Sequence, residues 1–276
     1  MSLPAPADVL AEAARAVRAD GHAVLCHVVR TEGSTPGKVG WRLLVRRDGT
    51  VFGNLGGGAF EALVKADGSA RLAQAAEASA VKRYYLTETA VKGEATGMVC
   101  GGMIEVFLER LMANPMLVIC GGGPVGQALA QAGALAGFDR LVVEDRSEFR
   151  APELFPAGTE IAAADRDFAG DFLAPYAGRE LYVAVVSRCW ETDVGALAAV
   201  LRQAPADLRY LGLMGSRRKV ARVIEEVEGR GQSLDGVTLS APIGLPIGGD
   251  TPGEIAIAVL AEILSTRYES RTNHAA

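Results

Sequence analysis

The sequence predicts an α/β fold in two parts: a mixed α+β domain over residues 1–112, then a parallel-sheet domain over residues 113–276. Three observations predict it. The pattern changes at LMANP, Leu111–Pro115, where the Asn-Pro step marks a linker. Beyond it strands and helices alternate, as in a parallel sheet covered on both faces. LVICGGGPVGQALAQAG, Leu117–Gly133, also runs an apolar strand through three glycines into a helix, which makes the second domain Rossmann-like.

The elements follow in order. MSLPAPADVLAEAARAVRAD has the spacing of an amphipathic helix that stops at Asp20-Gly21. HAVLCHVVR from His22 and WRLLVRRDGTVFGNL from Trp41 read as strands, and Asp48-Gly49 folds the second into a hairpin. An alanine-rich helical region is expected from Ala59 to about Ala80, broken at Asp67-Gly68. VKRYYLT from Val81 and MIEVFLE from Met103 are the next strands. After the linker come strand MLVIC, helix PVGQALAQAGALAG and strands RLVVED and LYVAVVS, then a helix from Asp193 to Arg202, strand YLGLMG and helix SRRKVARVIEEVEGRG.

Composition excludes several functions. With 276 residues, 49% hydrophobic and 22% charged, the chain suffices for two cores. Its 28 basic and 33 acidic residues give a net charge of -5 with no basic tract, so nucleic acid is not an expected partner. The amino terminus has no signal-peptide pattern, and IAIAVLAEIL, Ile255–Leu264, is too short for a bilayer span and carries Glu262. No membrane association is expected. Cys26, Cys100, Cys120 and Cys189 form no CxxC pair, and with only His22, His27 and His274 no zinc spacing exists. Unpaired cysteines without an export signal point to a reducing compartment, the cytoplasm.

The glycine turn carries the first chemistry. Gly121, Gly123 and Gly126 fit GxGxxG, and Glu144-Asp145 end the next strand at the spacing of the dinucleotide fingerprint. The first glycine permits the turn, the second lets backbone approach a pyrophosphate, and the third lets helix and strand pack closely. Glu144 is then the candidate for ribose hydroxyls. Hydride chemistry also needs a proton donor, and here the candidates are poor. The only histidine of this half is His274, there is no Tyr-x-x-x-Lys pair, and Lys219 reads as a solvated helix residue. Cys120, at a strand end, reads as a small buried apolar residue.

The first half has glycine loops of its own. GSTPGKV, Gly33–Val39, has too few residues between its outer glycines for a P-loop, lacks Ser or Thr after Lys38 and runs into a strand. Ser34, Thr35, Lys38 and nearby N–H groups still offer donors to an anion, or the segment is simply a turn between strands. Gly56, Gly57 and Gly58 precede a helix, where exposed N–H groups favour a phosphate; the alternative is a loop that needs positive φ. Cys100 stands directly before Gly101 and Gly102, where a thiol is accessible to a ligand.

GSTPGKVGWRLLV, GNLGGGAFE with Glu61, and VCGGMIEVFLE resemble the amino-terminal motifs of the XdhC/CoxI family of molybdenum-cofactor accessory proteins. LVICGGGPVG, VVEDRSEF, YLGLMGSRRK and APIGLPIGGDTPGEIAIAVLAEIL are similar to that family's Rossmann-type domain and closing helix, so the resemblance spans nearly the whole chain. It implies a non-catalytic chaperone that binds molybdopterin, protects the cofactor during sulfuration and delivers it to a molybdenum hydroxylase such as xanthine dehydrogenase. It further implies a homodimer, contact with a cysteine desulfurase and contact with the target apoenzyme. Molybdopterin is an anionic phosphate ester with a planar pterin, so the glycine loops, Lys38 and Arg42 are candidate ligands.

The chain also departs from the family pattern. It has Gly37 after Pro36 where an arginine is common, Trp41 where a small residue is common, and VSRCWETD, Val186–Asp193, in place of a histidine-containing segment. Arg188 and Cys189 are there either ligand contacts or parts of a turn into a helix. Two other readings stay open: an NAD(P)-dependent oxidoreductase, and a nucleotide-sensing scaffold with NAD(P) or another nucleotide in the Rossmann crevice.

Overall fold

The computed structural model describes residues 4–73, 79–86, 94–95, 101–203 and 205–272, with the backbone alone for 94–95 and 270–272. The chain divides into two compact units, Met1–Ala113 and Asn114–Ala276.

The first unit contains α1 (Pro6–Asp20), β1 (His22–Glu32), β2 (Arg42–Arg46), β3 (Val51–Gly53), α2 (Gly58–Ala73), β4 (Ser79–Tyr85), β5 (Glu94–Ala95) and β6 (Met103–Met112). Its six-stranded sheet has the order β3-β2-β1-β6-β4-β5. All neighbours are antiparallel except β4 and β5. Successive side chains of a strand point to opposite faces, and β1 buries both. Ala23 and Leu25 join Val9, Ala13 and Ala16 of α1, while Val24, Cys26 and Val28 join Phe60 and Val64 of α2. That two-sided burial accounts for the unbroken apolar run of HAVLC. At Gly21, φ is 81°, and its N–H returns to Val17 O at 3.0 Å to end α1.

One expected break is absent. Helix α2 runs straight through Asp67-Gly68. Gly68 is there for contact: a Cβ on it would lie 2.8 Å from Val45 Cγ2 and 3.5 Å from Cys26 Sγ, so the missing side chain lets the helix settle onto β1 and β2. The turn at Asp48-Gly49 forms as expected, with Gly49 at φ 78° between β2 and β3.

The second unit contains β7 (Met116–Cys120), α3 (Pro124–Leu135), β8 (Asp139–Glu144), β9 (Thr159–Ala163), β10 (Leu181–Val185), α4 (Trp190–Gln203), β11 (Leu208–Leu213), α5 (Arg217–Gly229), β12 (Leu239–Ser240) and α6 (Pro252–Thr272). All six strands are parallel, in the order β12-β11-β10-β7-β8-β9. This is the doubly wound Rossmann order, whose direction reverses between β7 and β10. One face packs Val118, Cys120, Val183 and Val185 against α4 and α5 through Val194, Leu197 and Val223. The other packs Leu117, Ile119 and Tyr182 against α3 and α6 through Leu129, Val259 and Ile263. Each fully buried aliphatic side chain of this kind contributes about 1.5–3 kcal/mol. Helix α4 starts at Trp190, earlier than Asp193, and β9 and β12 are strands that the sequence pattern does not announce.

Candidate functional site

The candidate residues form two groups, one in each unit. Cys100 and His274 lie outside the described residues.

In the first unit three glycine loops meet. A Cβ on Gly102 would stand 2.2 Å from Ser34 O and 2.8 Å from Thr35 Cγ2, and one on Gly33 would stand 3.3 Å from Gly102 Cα. A Cβ on Gly37 would stand 2.3 Å from Leu55 O, and one on Gly56 2.8 Å from the Pro36 carbonyl carbon. Loop 33–38, loop 54–58 and Gly101-Gly102 are thus pressed together through residues that have no side chain. Thr35 Oγ1 donates to Gly37 O at 3.0 Å, and Lys38 is exposed. Half-buried Arg42 donates to Gly40 O at 3.2 Å. Burial, and secondarily the Arg42 charge, lowers the pKa of His27.

The loop at Gly56–Gly58 corrects the expectation of exposed donors. Glu61 Oε2 accepts from Leu55 N at 2.8 Å and from Gly57 N at 3.2 Å, while Asn54 Oδ1 accepts from Gly56 N at 2.6 Å. The chain's own carboxylate occupies the place a phosphate would take. Gly56, Gly57 and Gly58 have φ of 118°, 74° and 67°, so the loop needs glycine for its backbone as well.

In the second unit the turn after β7 leads into a helix start that no side chain caps. Gly121 has φ 120°, and its Cβ would lie 2.9 Å from Val186 O and 3.0 Å from Ser187 Cα. A Cβ on Gly126 would fall 1.9 Å from Gly121 O, which makes the third glycine obligatory for packing. Gly123 caps α3 without a side chain, Pro124 follows, and the first turn has no acidic residue. Helix α6 differs, because there Glu254 Oε2 takes Asp250 N at 3.1 Å and Thr251 N at 3.0 Å. The free amides and the helix dipole of α3 therefore face the carboxyl edge of the sheet, where such folds bind ligands.

Glu144, the ribose candidate, is engaged. Its side chain is 1% exposed. Oε2 accepts from Gly122 N at 2.5 Å and Arg146 Nη2 at 3.1 Å, and Oε1 accepts from Arg146 N and Nε at 2.9 Å each. Burial works to raise its pKa, but contacts with Arg146, Asp145 and Gly122 outweigh it and hold the group at about 2. Arg146 stacks 4.0 Å over the Phe149 ring. Beside it Asp145 pairs with Arg188, with Nη1 to Oδ1 at 3.1 Å and Nη2 to Oδ2 at 3.0 Å. Asp145 has a raised pKa, from burial first and from Glu144 next. This ion pair joins the loops that leave β8 and β10, the strands on either side of β7.

Lys219 is not the solvated residue that its helix position suggests. Its ammonium pairs with Asp193, which is 0% exposed, and donates to Met214 O at 3.1 Å. Ser187 Oγ donates to the other oxygen of Asp193. Burial raises the Asp193 pKa against the lowering effect of Lys219 and Ser187. Ser187, Asp193, Lys219 and Arg146 lie on the connections that follow β8, β10 and β11, so no local spacing announces them as a group. Arg188 and Cys189 do lie in the turn into α4, with Cys189 Sγ 3.2 Å from Thr192 Oγ1. Cys26 and Cys120 are buried, and burial pushes the Cys26 thiol up to about 12. The Cys120 thiol is raised further for the same reason.

Comparison with known proteins fits this geometry. Residues 117–263 match the family described as XdhC Rossmann domain, and residues 8–85 match the XdhC and CoxI family. The chain belongs to the XdhC and CoxI family. The YqeB protein of Escherichia coli strain K12, described as uncharacterized, is 33% identical over 261 residues, 94% of this chain and 46% of that protein. A Bacillus subtilis strain 168 protein, described as a probable xanthine dehydrogenase subunit, is 29% identical over 164 residues, 59% of this chain and 46% of that protein. This XdhC-type chain therefore spans about half the length of these relatives. Among solved structures, a crystal structure described as a xanthine dehydrogenase from Bacillus halodurans matches with a TM-score of 0.47 and 20% identity, covering 94% of this chain and 96% of that one. Among the described residues no helix is long and apolar enough to cross a membrane, and no cluster of three or more His, Cys, Asp or Glu could hold a metal ion.

Proposed function

We propose that this XdhC-type chain is an accessory protein for a molybdenum hydroxylase of the xanthine dehydrogenase type. It binds molybdopterin, shields the cofactor while its terminal sulfur ligand is installed, and delivers it to the apoenzyme. The observation that carries the reading is the start of α3 at Gly123, which no side chain caps, beside the Arg146 guanidinium, in a chain of this family. The donor set fits the group: backbone amides and arginines suit a phosphate ester, and the glycine floor admits a planar ring. The loop at Gly56–Gly58 fits a phosphate poorly, since Glu61 already holds its amides. Similarity to the Bacillus subtilis relative supports the choice of hydroxylase. A cysteine desulfurase as sulfur donor and a homodimer belong to the same proposal.

Equilibrium dialysis of the pure protein against molybdopterin tests the first step, and reactivation of a desulfo-hydroxylase tests the last. Binding together with activation is the expected result. Absence of binding at micromolar protein overturns the reading. A second reading, an NAD(P)-linked oxidoreductase, is favoured by one observation: Ser187, the buried Asp193 and Lys219 form a hydrogen-bonded and ion-paired group beside Gly121, which brings titratable side chains to the turn. Substrate turnover with NAD(P) by the pure protein would select it.

A further inference from the structure

We infer that the β8 side of the glycine turn is a subsite for a phosphomonoester, served by Arg146 and Arg188, so that the crevice prefers ligands with a terminal phosphate over dinucleotides whose ribose is bare. The inference rests on the reading that the ligand binds at the turn after β7.

In doubly wound folds a bare adenosine ribose is held by a free carboxylate at the end of the second strand, whereas a nearby arginine accommodates a phosphate there. Glu144 occupies that strand end but offers nothing. A carboxylate has about four acceptor positions. Gly122 N and three nitrogens of Arg146 supply four donors to Glu144, which is 1% exposed. A diol brought to this place finds no acceptor.

What the chain presents instead is guanidinium. Arg146 lies over the turn, with Nη2 3.7 Å from the position a Cβ would take on Gly123. The Phe149 ring beneath it and the Glu144 carboxylate beside it fix its plane. Its Nη1 makes no hydrogen bond among the described residues. Arg188 reaches the same edge from the loop after β10 and is held there by Asp145. A phosphate dianion that takes Arg188 from Asp145 displaces the carboxylate that is less costly to neutralise. Planar guanidinium groups bind phosphate through paired hydrogen bonds, and a ribose hydroxyl gains less from them.

Two ligand classes carry this chemistry: a dinucleotide with a 2′-phosphate, and molybdopterin with its own phosphate ester. The test is isothermal titration of the full chain with NADP+, NAD+ and molybdopterin, with inorganic phosphate as competitor, on the parent protein and on Arg146→Lys and Arg188→Gln. Arg188 is 41% exposed, so its variant is expected to fold even if the Arg146 variant does not. NADP+ should bind at least roughly tenfold more tightly than NAD+, the worth of one charge-assisted hydrogen bond. Phosphate should displace it, and both variants should erase most of that preference. Equal or tighter binding of NAD+ would mean that Arg146 swings away and frees Glu144, which overturns the inference. Molybdopterin binding that neither variant weakens also overturns it and leaves the proposed function standing. NADP+ preference without molybdopterin binding supports the inference and removes the proposed function. If none of the three binds, the crevice reading and the inference fall together.

Discussion

Glu144 shows how a single carboxylate ties a ligand turn to acid stability. Its folded pKa of about 2 lies below the ordinary 4.5, so the native state binds protons there more weakly than the unfolded chain. The stabilisation is complete above about pH 4.5 and is lost as pH falls toward 2. Urea midpoints measured from pH 6 to pH 2 should show Glu144→Gln as less stable near neutrality, the gap closing across that window; a constant gap would mean that the carboxylate contributes packing alone. Lys219 and Asp193 make the opposite case, a buried pair invisible in the sequence. Removing one partner of such a pair costs about 3–5 kcal/mol, while replacing both with apolar residues is often neutral. Lys219→Met should therefore lower stability by about 3 kcal/mol, and Asp193→Leu added to it should restore most of the loss. A cost under about 0.5 kcal/mol for Lys219→Met would return the lysine to solvent, as the sequence alone suggested. The glycines of the turn were legible because spacing announces them. The pairings were not: Lys219 with Asp193 and Glu144 with Gly122 each join different strand–helix connections, and nothing in the spacing of Glu144 and Arg146 marks their contact.

At the scale of elements, the strand–turn–helix from Met116 to Leu135 is held by one contact. Gly126 sits where a Cβ would meet Gly121 O at 1.9 Å, and neither atom belongs to a flexible side chain. Gly126→Ala must push α3 away from β7 and with it the amides that face the crevice. A cost above about 2 kcal/mol is expected in chemical denaturation, at the upper end for overpacking, together with loss of anion affinity; unchanged values would show that the helix can slide. Gly68 is the instructive misreading. A glycine within a helical pattern signals a break when only propensity is weighed, but the approach of α2 to Val45 and Cys26 decides the matter. Most strands found from sequence carry apolar runs, and VKRYYLT of β4 stands out by its β-branched and aromatic residues. TEIAA of β9 and the Leu239-Ser240 pair of β12 lie at the sheet's edges, half-buried or short, and give no such run.

At the scale of the molecule, the division at Ala113 and Asn114 separates the cores as well as the contacts. Each hydrophobic cluster draws all its residues from one unit. A fragment of residues 114–276 should then fold alone, with cooperative melting and near-native far-UV circular dichroism; a non-cooperative transition would show that the first unit is needed. The alternation of strand and helix made the second unit's sheet legible, because parallel strands buried on both faces read as short apolar blocks. The order of the first unit's sheet was not, since antiparallel pairing of distant strands such as β1 with β6 leaves no local trace.

Glu61 gives the two glycine loops different relations to their surroundings. An anion tethered three residues into a helix is present at an effective concentration that no dilution, dialysis or added salt can change. The loop before α2 thus carries its own internal counter-ion. At the turn before α3 the buried Glu144 takes only Gly122 N, and the uncapped start of the helix stays open to a diffusible anion.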